Sequence, residues 1–129
     1  FDTPPQALAG HLARMLAEPN SAIFLATNGD GAAVGFSAAL VGVGLEFGVT
    51  AQIESLYVTP KTRGKRVGSR LIGAALAWCE AAGAREVFAA INAQGEPGRQ
   101  LERLFMRLGF AQSRRRLMYR ALDEDRPGS

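Results

Sequence analysis

The feature that most limits what this chain can fold into is a basic, glycine-bearing joint. Between Lys61 and Arg70 five bases and two glycines, Gly64 and Gly68, occur without a single acid. Ahead of it the run Gln52-Ile53-Glu54-Ser55-Leu56-Tyr57-Val58 reads as a strand ended by Thr59-Pro60, since proline removes a ladder donor and restricts its predecessor. Behind it Leu71, Ile72, Ala75, Leu76 and Cys79 keep helical spacing, which predicts an amphipathic helix over 68–82 stopped by Gly83. A helix start carries unpartnered backbone N–H groups and a partial positive charge, so a loop that admits a phosphate there is already an anion site. Gly64 and Gly68 give that approach, and Arg63, Lys65 and Arg66 add charge and forked donors suited to a pyrophosphate.

Two competing phosphate motifs fail on spacing. A nucleotide-triphosphate loop needs GxxxxGK followed by Ser or Thr, whereas Gly64 and Gly68 are four apart and Ser69-Arg70 follows. No acid closes the next strand to hold magnesium, and Asn92 is a poor substitute. Gly42-Val43-Gly44-Leu45-Glu46-Phe47-Gly48 has its last glycine one residue too far along for a dinucleotide loop, and a strand follows it. It reads instead as a glycine-rich connection between antiparallel strands, with Glu46 and Phe47 placed to contact a second substrate.

The rest of the chain sets the frame. At 129 residues and 47% hydrophobic content a single domain is expected over 1–122, with a flexible tail at 123–129. Because the chain begins at Phe1, a first strand or helix upstream stays open. No apolar run reaches the roughly 20 residues of a membrane span and the N-terminal stretch lacks signal-peptide order, so a soluble, cytoplasmic protein without membrane association is the default. Cys79 is the only cysteine and has no CxxC or histidine neighbour, so no metal is expected, and His11 stands alone on a helix. Residues 1–60 hold one base and five acids, and residues 61–129 hold 14 bases and seven acids. Despite the sequence pI near 9.6 and Arg114-Arg115-Arg116, too few aromatics interleave with the basic patch for a nucleic-acid surface.

The remaining periodicities predict a helix over 5–18, strands over 21–27 and 33–41 joined through Asn28-Gly29-Asp30-Gly31, and a central strand over 86–92. A polar connection over 93–98 should follow. A second amphipathic helix is then expected around Leu101, Leu104, Phe105 and Leu108, stopped by Gly109. Residues 110–113 and 116–122 would close the fold as a hairpin.

The segment Ile53–Pro60 with Arg63–Ser69 resembles the strand and pyrophosphate loop (Q/R-x-x-G-x-G/A) of the GNAT superfamily of acyl-coenzyme A dependent N-acyltransferases. Leu104-Phe105-Met106-Arg107-Leu108-Gly109-Phe110 is similar to that family's later LYxKLGF helix end. The resemblance spans roughly residues 20–122. It implies an α/β (α+β) fold: a mixed, largely antiparallel twisted sheet whose two central parallel strands splay around the cofactor, flanked by helices. It implies acetyl-coenzyme A as cosubstrate and direct transfer of its acetyl group to a primary amine of a small molecule or peptide. A homodimer is compatible with it.

By this resemblance the backbones of Leu56 and Val58, with Tyr57 between them, would line the pantetheine arm and acyl group. Arg63, Gly64, Lys65, Arg66, Val67, Gly68 and Ser69 would cradle the pyrophosphate, while Asn92 and the helix carrying Phe105 would flank the arm. Two departures stand out. Arg66 occupies the place of the motif's first glycine, so the backbone there should be built without a φ > 0 residue. Phe105 stands where the family often has a tyrosine that protonates the departing thiolate. That leaves Tyr57 and Tyr119 as replacement acids. Glu54, sharing strand parity with Leu56 and Val58, is the expected base acting through water. The absent tyrosine also keeps open a catalytically weak coenzyme A binding or regulatory module of the same fold.

Overall fold

The computed structural model describes residues 4–91 and 94–123. The chain divides into two compact units, Phe1–Ala90 and Ile91–Ser129. The first holds helix α1 (Pro5–Ala17), strands β1 (Ser21–Thr27), β2 (Ala33–Gly44) and β3 (Gly48–Val58), a 3-10 turn (Pro60–Thr62), helix α2 (Val67–Ala81) and strand β4 (Glu86–Ala89). The second holds helix α3 (Gly95–Arg107).

The four strands form one mixed sheet in the order β1-β2-β3-β4, antiparallel except for the parallel pair β3 and β4. The turn between β1 and β2 is made by Asn28, whose Oδ1 accepts from the N–H groups of Asp30 (2.9 Å) and Ala32 (3.1 Å), with Gly31 at φ 81°. Among the described residues β4 has no further neighbour, so it lies at the edge of the described sheet and not in the centre as its apolar composition suggested. It also ends at Ala89, earlier than expected, and Asn92 lies outside the described residues. The glycine-rich stretch 42–48 is mostly strand: Gly42, Val43 and Gly44 pair with Thr50, Val49 and Gly48. Only Leu45, Glu46 and Phe47 remain as the turn, closed by Gly48 at φ 72°.

α2 lies across β1, β2 and β3. Its Leu71, Ile72, Ala75 and Cys79 are buried against a face where β2 presents Gly35, Ser37 and Ala39, all buried. Small residues are required there. A Cβ on Gly35 would stand 2.7 Å from the Tyr57 carbonyl oxygen and 3.1 Å from Leu71 Cδ1. Ser37 is the one polar side chain in the core among the described residues, and its Oγ donates to the Leu71 carbonyl at 3.0 Å. Full burial of a side chain such as Ile72 contributes about 1.5–3 kcal/mol to holding α2 on the sheet.

In the second unit α3 begins six residues before Leu101, so the expected polar connection over 93–98 is largely helix. Pro97 is tolerated because the first turn needs no N–H partner. Glu96, in that turn, accepts from Arg103 Nη2 (2.8 Å) and Arg99 Nε (3.1 Å). Hydrogen bonds from Arg103 and then Arg99 hold its carboxyl below the usual range. Gly109 at φ 95° ends the helix, and the Phe105 ring meets Phe110 edge-on at 4.9 Å. The closing hairpin does not form: residues 110–123 contain no strand. Leu117, Met118 and Leu122 are exposed, which removes the packing that would have favoured extended pairing.

Candidate functional site

The chemistry-bearing end of the first unit is built on an irregularity in β3. Ala38 pairs with Ser55 and Ala39 with Ile53, so Glu54 is an extra residue without its own partner, a β-bulge. The bulge resets which residues share a face. Beyond it Leu56 and Val58 pair with Ser37 and Gly35, the residues that touch α2; before it Ile53 pairs with Ala39 on that same face. Glu54 therefore does not follow the parity of Leu56 and Val58, as simple alternation predicted. It is exposed, and its Oε2 accepts from Ser55 Oγ at 2.7 Å. Ser55 and Tyr57 point to the face opposite α2, where the Tyr57 ring lies 6.0 Å from that of its cross-strand partner Phe36.

The bulge coincides with the end of the parallel ladder. β4 pairs with β3 only from Thr50 to Ile53, so no described strand lies beside Leu56, Tyr57 and Val58 on that edge. The Thr59 N–H donates to the Val34 carbonyl at 2.8 Å. Because bonded and non-bonded pairs alternate in an antiparallel ladder, Tyr57 and Ser55 direct their backbone groups toward β2, and Leu56 and Val58 direct theirs to the open edge. Arg63 Nε confirms the direction by donating to the Val58 carbonyl at 3.0 Å.

Past the 3-10 turn, tied by the Thr59 and Thr62 hydroxyls at 2.8 Å, the loop enters α2 through two left-handed residues. Gly64 has φ 85° and Arg66 has φ 64°, ψ 13°. The backbone thus keeps the conformation that the motif's glycine would supply, contrary to the expectation that Arg66 would avoid it. A non-glycine residue there costs on the order of 1–2 kcal/mol. The first intrahelical bond is Arg70 N–H to the Arg66 carbonyl (3.1 Å), so the N–H groups of Val67, Gly68 and Ser69 have no helical acceptor. α2 has no side-chain cap and no acid in its first turn. Arg63, Gly64, Lys65 and Arg66 are exposed, and Val67, Gly68 and Ser69 are half-buried. Charge, open donors and helix dipole therefore converge on one anion-accepting surface.

The structure thus gathers Glu54, Leu56, Tyr57, Val58 and the loop from Arg63 to Ser69 around one end of β3. It does not bring Glu46 and Phe47 there: they occupy the hairpin tip before Gly48, about 20 Å along the strand from Glu54. Phe105, buried, and Tyr119, half-exposed, belong to the second unit. Ser55, which the sequence pattern does not single out, joins this group through its hydrogen bond to Glu54. Among the described residues no group of three His, Cys, Asp or Glu side chains is arranged to hold a metal, and no helix is long and apolar enough to cross a membrane.

The sequence profile of the acetyltransferase (GNAT) family matches residues 2–110, and the chain belongs to that family. An aminoglycoside N(6')-acetyltransferase type 1 of Stenotrophomonas maltophilia is 36% identical over 80 residues, 59% of this chain and 52% of the relative. The chain thus spans about half the length of the curated relative it matches. Among solved structures, AAC(6')-Iy bound to the bisubstrate analog CoA-S-monomethyl-acetylneamine superposes with TM-score 0.77 at 24% identity, covering 93% of this chain and 82% of the other. An aminoglycoside 6'-N-acetyltransferase from Acinetobacter haemolyticus gives TM-score 0.78 at 20% identity, over 95% and 86% of the two chains. These likenesses show a shared fold.

Proposed function

We propose that this protein is an acetyl-coenzyme A dependent N-acetyltransferase whose acceptor is a primary amine of a small, polycationic molecule of the aminoglycoside type. The observation that carries the reading is the continuity of bulge, open strand edge and uncapped basic helix start along residues 54–69. The loop would hold the pyrophosphate, and the outward backbone groups of Leu56 and Val58 would bind the pantetheine amides. Glu54, at the head of that edge, would take a proton from the acceptor ammonium through water. The neutral amine then attacks the acetyl carbon, the new C–N bond forms as the C–S bond breaks, and the thiolate leaves with the amine's second proton or one from solvent. Where a tyrosine hydroxyl relays the proton, Tyr57 or alternatively Tyr119 would donate to the departing thiolate and be reprotonated by the amine's second proton.

The acceptor class is supported by the aminoglycoside acetyltransferase relative and by the acidic excess of residues 1–60. Thiol release from acetyl-coenzyme A with neamine, a simple primary amine and a lysine-containing peptide tests it. Turnover with neamine at the highest kcat/KM is expected, and preference for the peptide would overturn the acceptor assignment. A second reading, a coenzyme A binding module without turnover, is favoured by Phe105, whose buried ring offers no hydroxyl. Cofactor binding with no thiol release across all three amines would select it.

A further inference from the structure

We infer that Ser55 is a positioning residue for Glu54; the inference rests on the reading of Glu54 as the base. In a regular strand, side chains of adjacent residues point to opposite faces and do not meet. Here they do meet, Ser55 Oγ donating to Glu54 Oε2 at 2.7 Å, because the extra residue at Glu54 breaks the alternation between Ile53 and Ser55. The donor is the better fixed of the two. Ser55 is half-buried and held in register opposite Ala38, whereas Glu54 is exposed and has no cross-strand partner.

An exposed glutamate on a bulge would otherwise sample several rotamers, and a catalytic group displaced by about 1 Å can cost up to roughly 100-fold in rate. One short bond from a one-torsion side chain restricts the carboxylate while leaving Oε1 and the remaining lone pairs of Oε2 to accept a proton by way of water. Ser55 thereby does for Glu54 what a third group does for a base in a hydrolytic triad: it orients, and exchanges no proton with the substrate.

The test is a double-mutant cycle on the full chain, read by thiol release with acetyl-coenzyme A and neamine. Ser55→Ala is expected to lower kcat about 3- to 10-fold while leaving the KM for acetyl-coenzyme A and the Tm within error. Ser55→Thr, which keeps the hydroxyl, should restore most of the loss. In a Glu54→Gln background Ser55→Ala should have no further effect. Wild-type kcat for Ser55→Ala, an equal loss in the Glu54→Gln background, or no rescue by Thr would each overturn the inference. The two readings separate cleanly. A large loss for Glu54→Gln with an unimpaired Ser55→Ala removes only the positioning role, whereas an unimpaired Glu54→Gln removes the base and Ser55 with it.

Discussion

Ser37 donates its buried hydroxyl to the carbonyl of Leu71, joining the middle of the sheet to the first turns of the helix that follows the basic loop. Two residues earlier, Gly35 leaves room for the same leucine. Sheet and helix are thereby fixed close together, and the uncapped start of α2, proposed to take the pyrophosphate, is held by a packed core and not by the loop alone.

Removing either contact should loosen α2. Ser37→Ala is expected to cost about 1 kcal/mol, the net worth of a neutral hydrogen bond. Gly35→Ala should cost about 1–3 kcal/mol, because the obstructing atom is backbone and cannot rotate away. Urea unfolding followed by circular dichroism measures both, and the midpoint for Gly35→Ala should be the lower.

Arg66 separates conformational strain from charge. Arg66→Gly relieves a left-handed arginine and should stabilise the protein by roughly 0.5–1 kcal/mol, while Arg66→Ala keeps the strain and loses the charge. Thermal melts should rank Gly above Arg, with Ala no more stable than Arg. Acetyl-coenzyme A should bind both variants more weakly than wild type, by isothermal titration.

Cys79 serves as a reporter of the same layer. Burial pushes its thiol above the usual range, which disfavours the thiolate in the folded protein. A folded pKa above the unfolded one means that stability is intact below the unfolded value, about 8.5, and falls as pH rises past it. A chromogenic disulfide reagent should label the folded protein slowly at pH 8 and fully once urea unfolds it. Rapid stoichiometric labelling in buffer would show that α2 lifts from the sheet.

Much of this was legible in the sequence, and the misses have physical causes. The bounds of β1 match expectation to the residue and those of α2 to within one, because Asn28-Gly29-Asp30-Gly31, Pro60 and Gly83 punctuate the chain sharply. Glycine misled at 42–48, where three of the residues read as connection extend β2 and Gly48 opens β3, and at 95–98, where a Gly- and Pro-containing run makes a first helical turn. The hairpin expected after Gly109 rested on alternation alone, with no partner strand to make it cooperative. The bulge, in contrast, left a signal: Ala51, Ile53, Leu56 and Val58 are spaced two, three and two apart. One step of three within a period of two marks an inserted residue, and it falls on Glu54-Ser55. The pairing of those two side chains shows only in the folded chain, since no sequence pattern distinguishes Ser55 from any half-buried strand serine.

Gly68 should be intolerant of negative charge. Gly68→Asp places a carboxylate among the open N–H groups that would meet a phosphate, and should raise the KM for acetyl-coenzyme A more than 10-fold while kcat at saturation stays within about 2-fold. Steady-state kinetics with each substrate varied in turn checks the split, and a comparable fall in kcat would mean that the loop also shapes the reacting centre.

The most direct measurement is thermal unfolding with and without acetyl-coenzyme A, in wild type and Gly68→Asp. At free ligand about 100 times its Kd, binding to the folded state alone adds about 2.7 kcal/mol, a rise in Tm of roughly 10 °C for a chain of this size. The account predicts that rise in wild type and its near-complete loss in Gly68→Asp. No rise in wild type, or an equal rise in both, would contradict the claim that the start of α2 grips the cofactor.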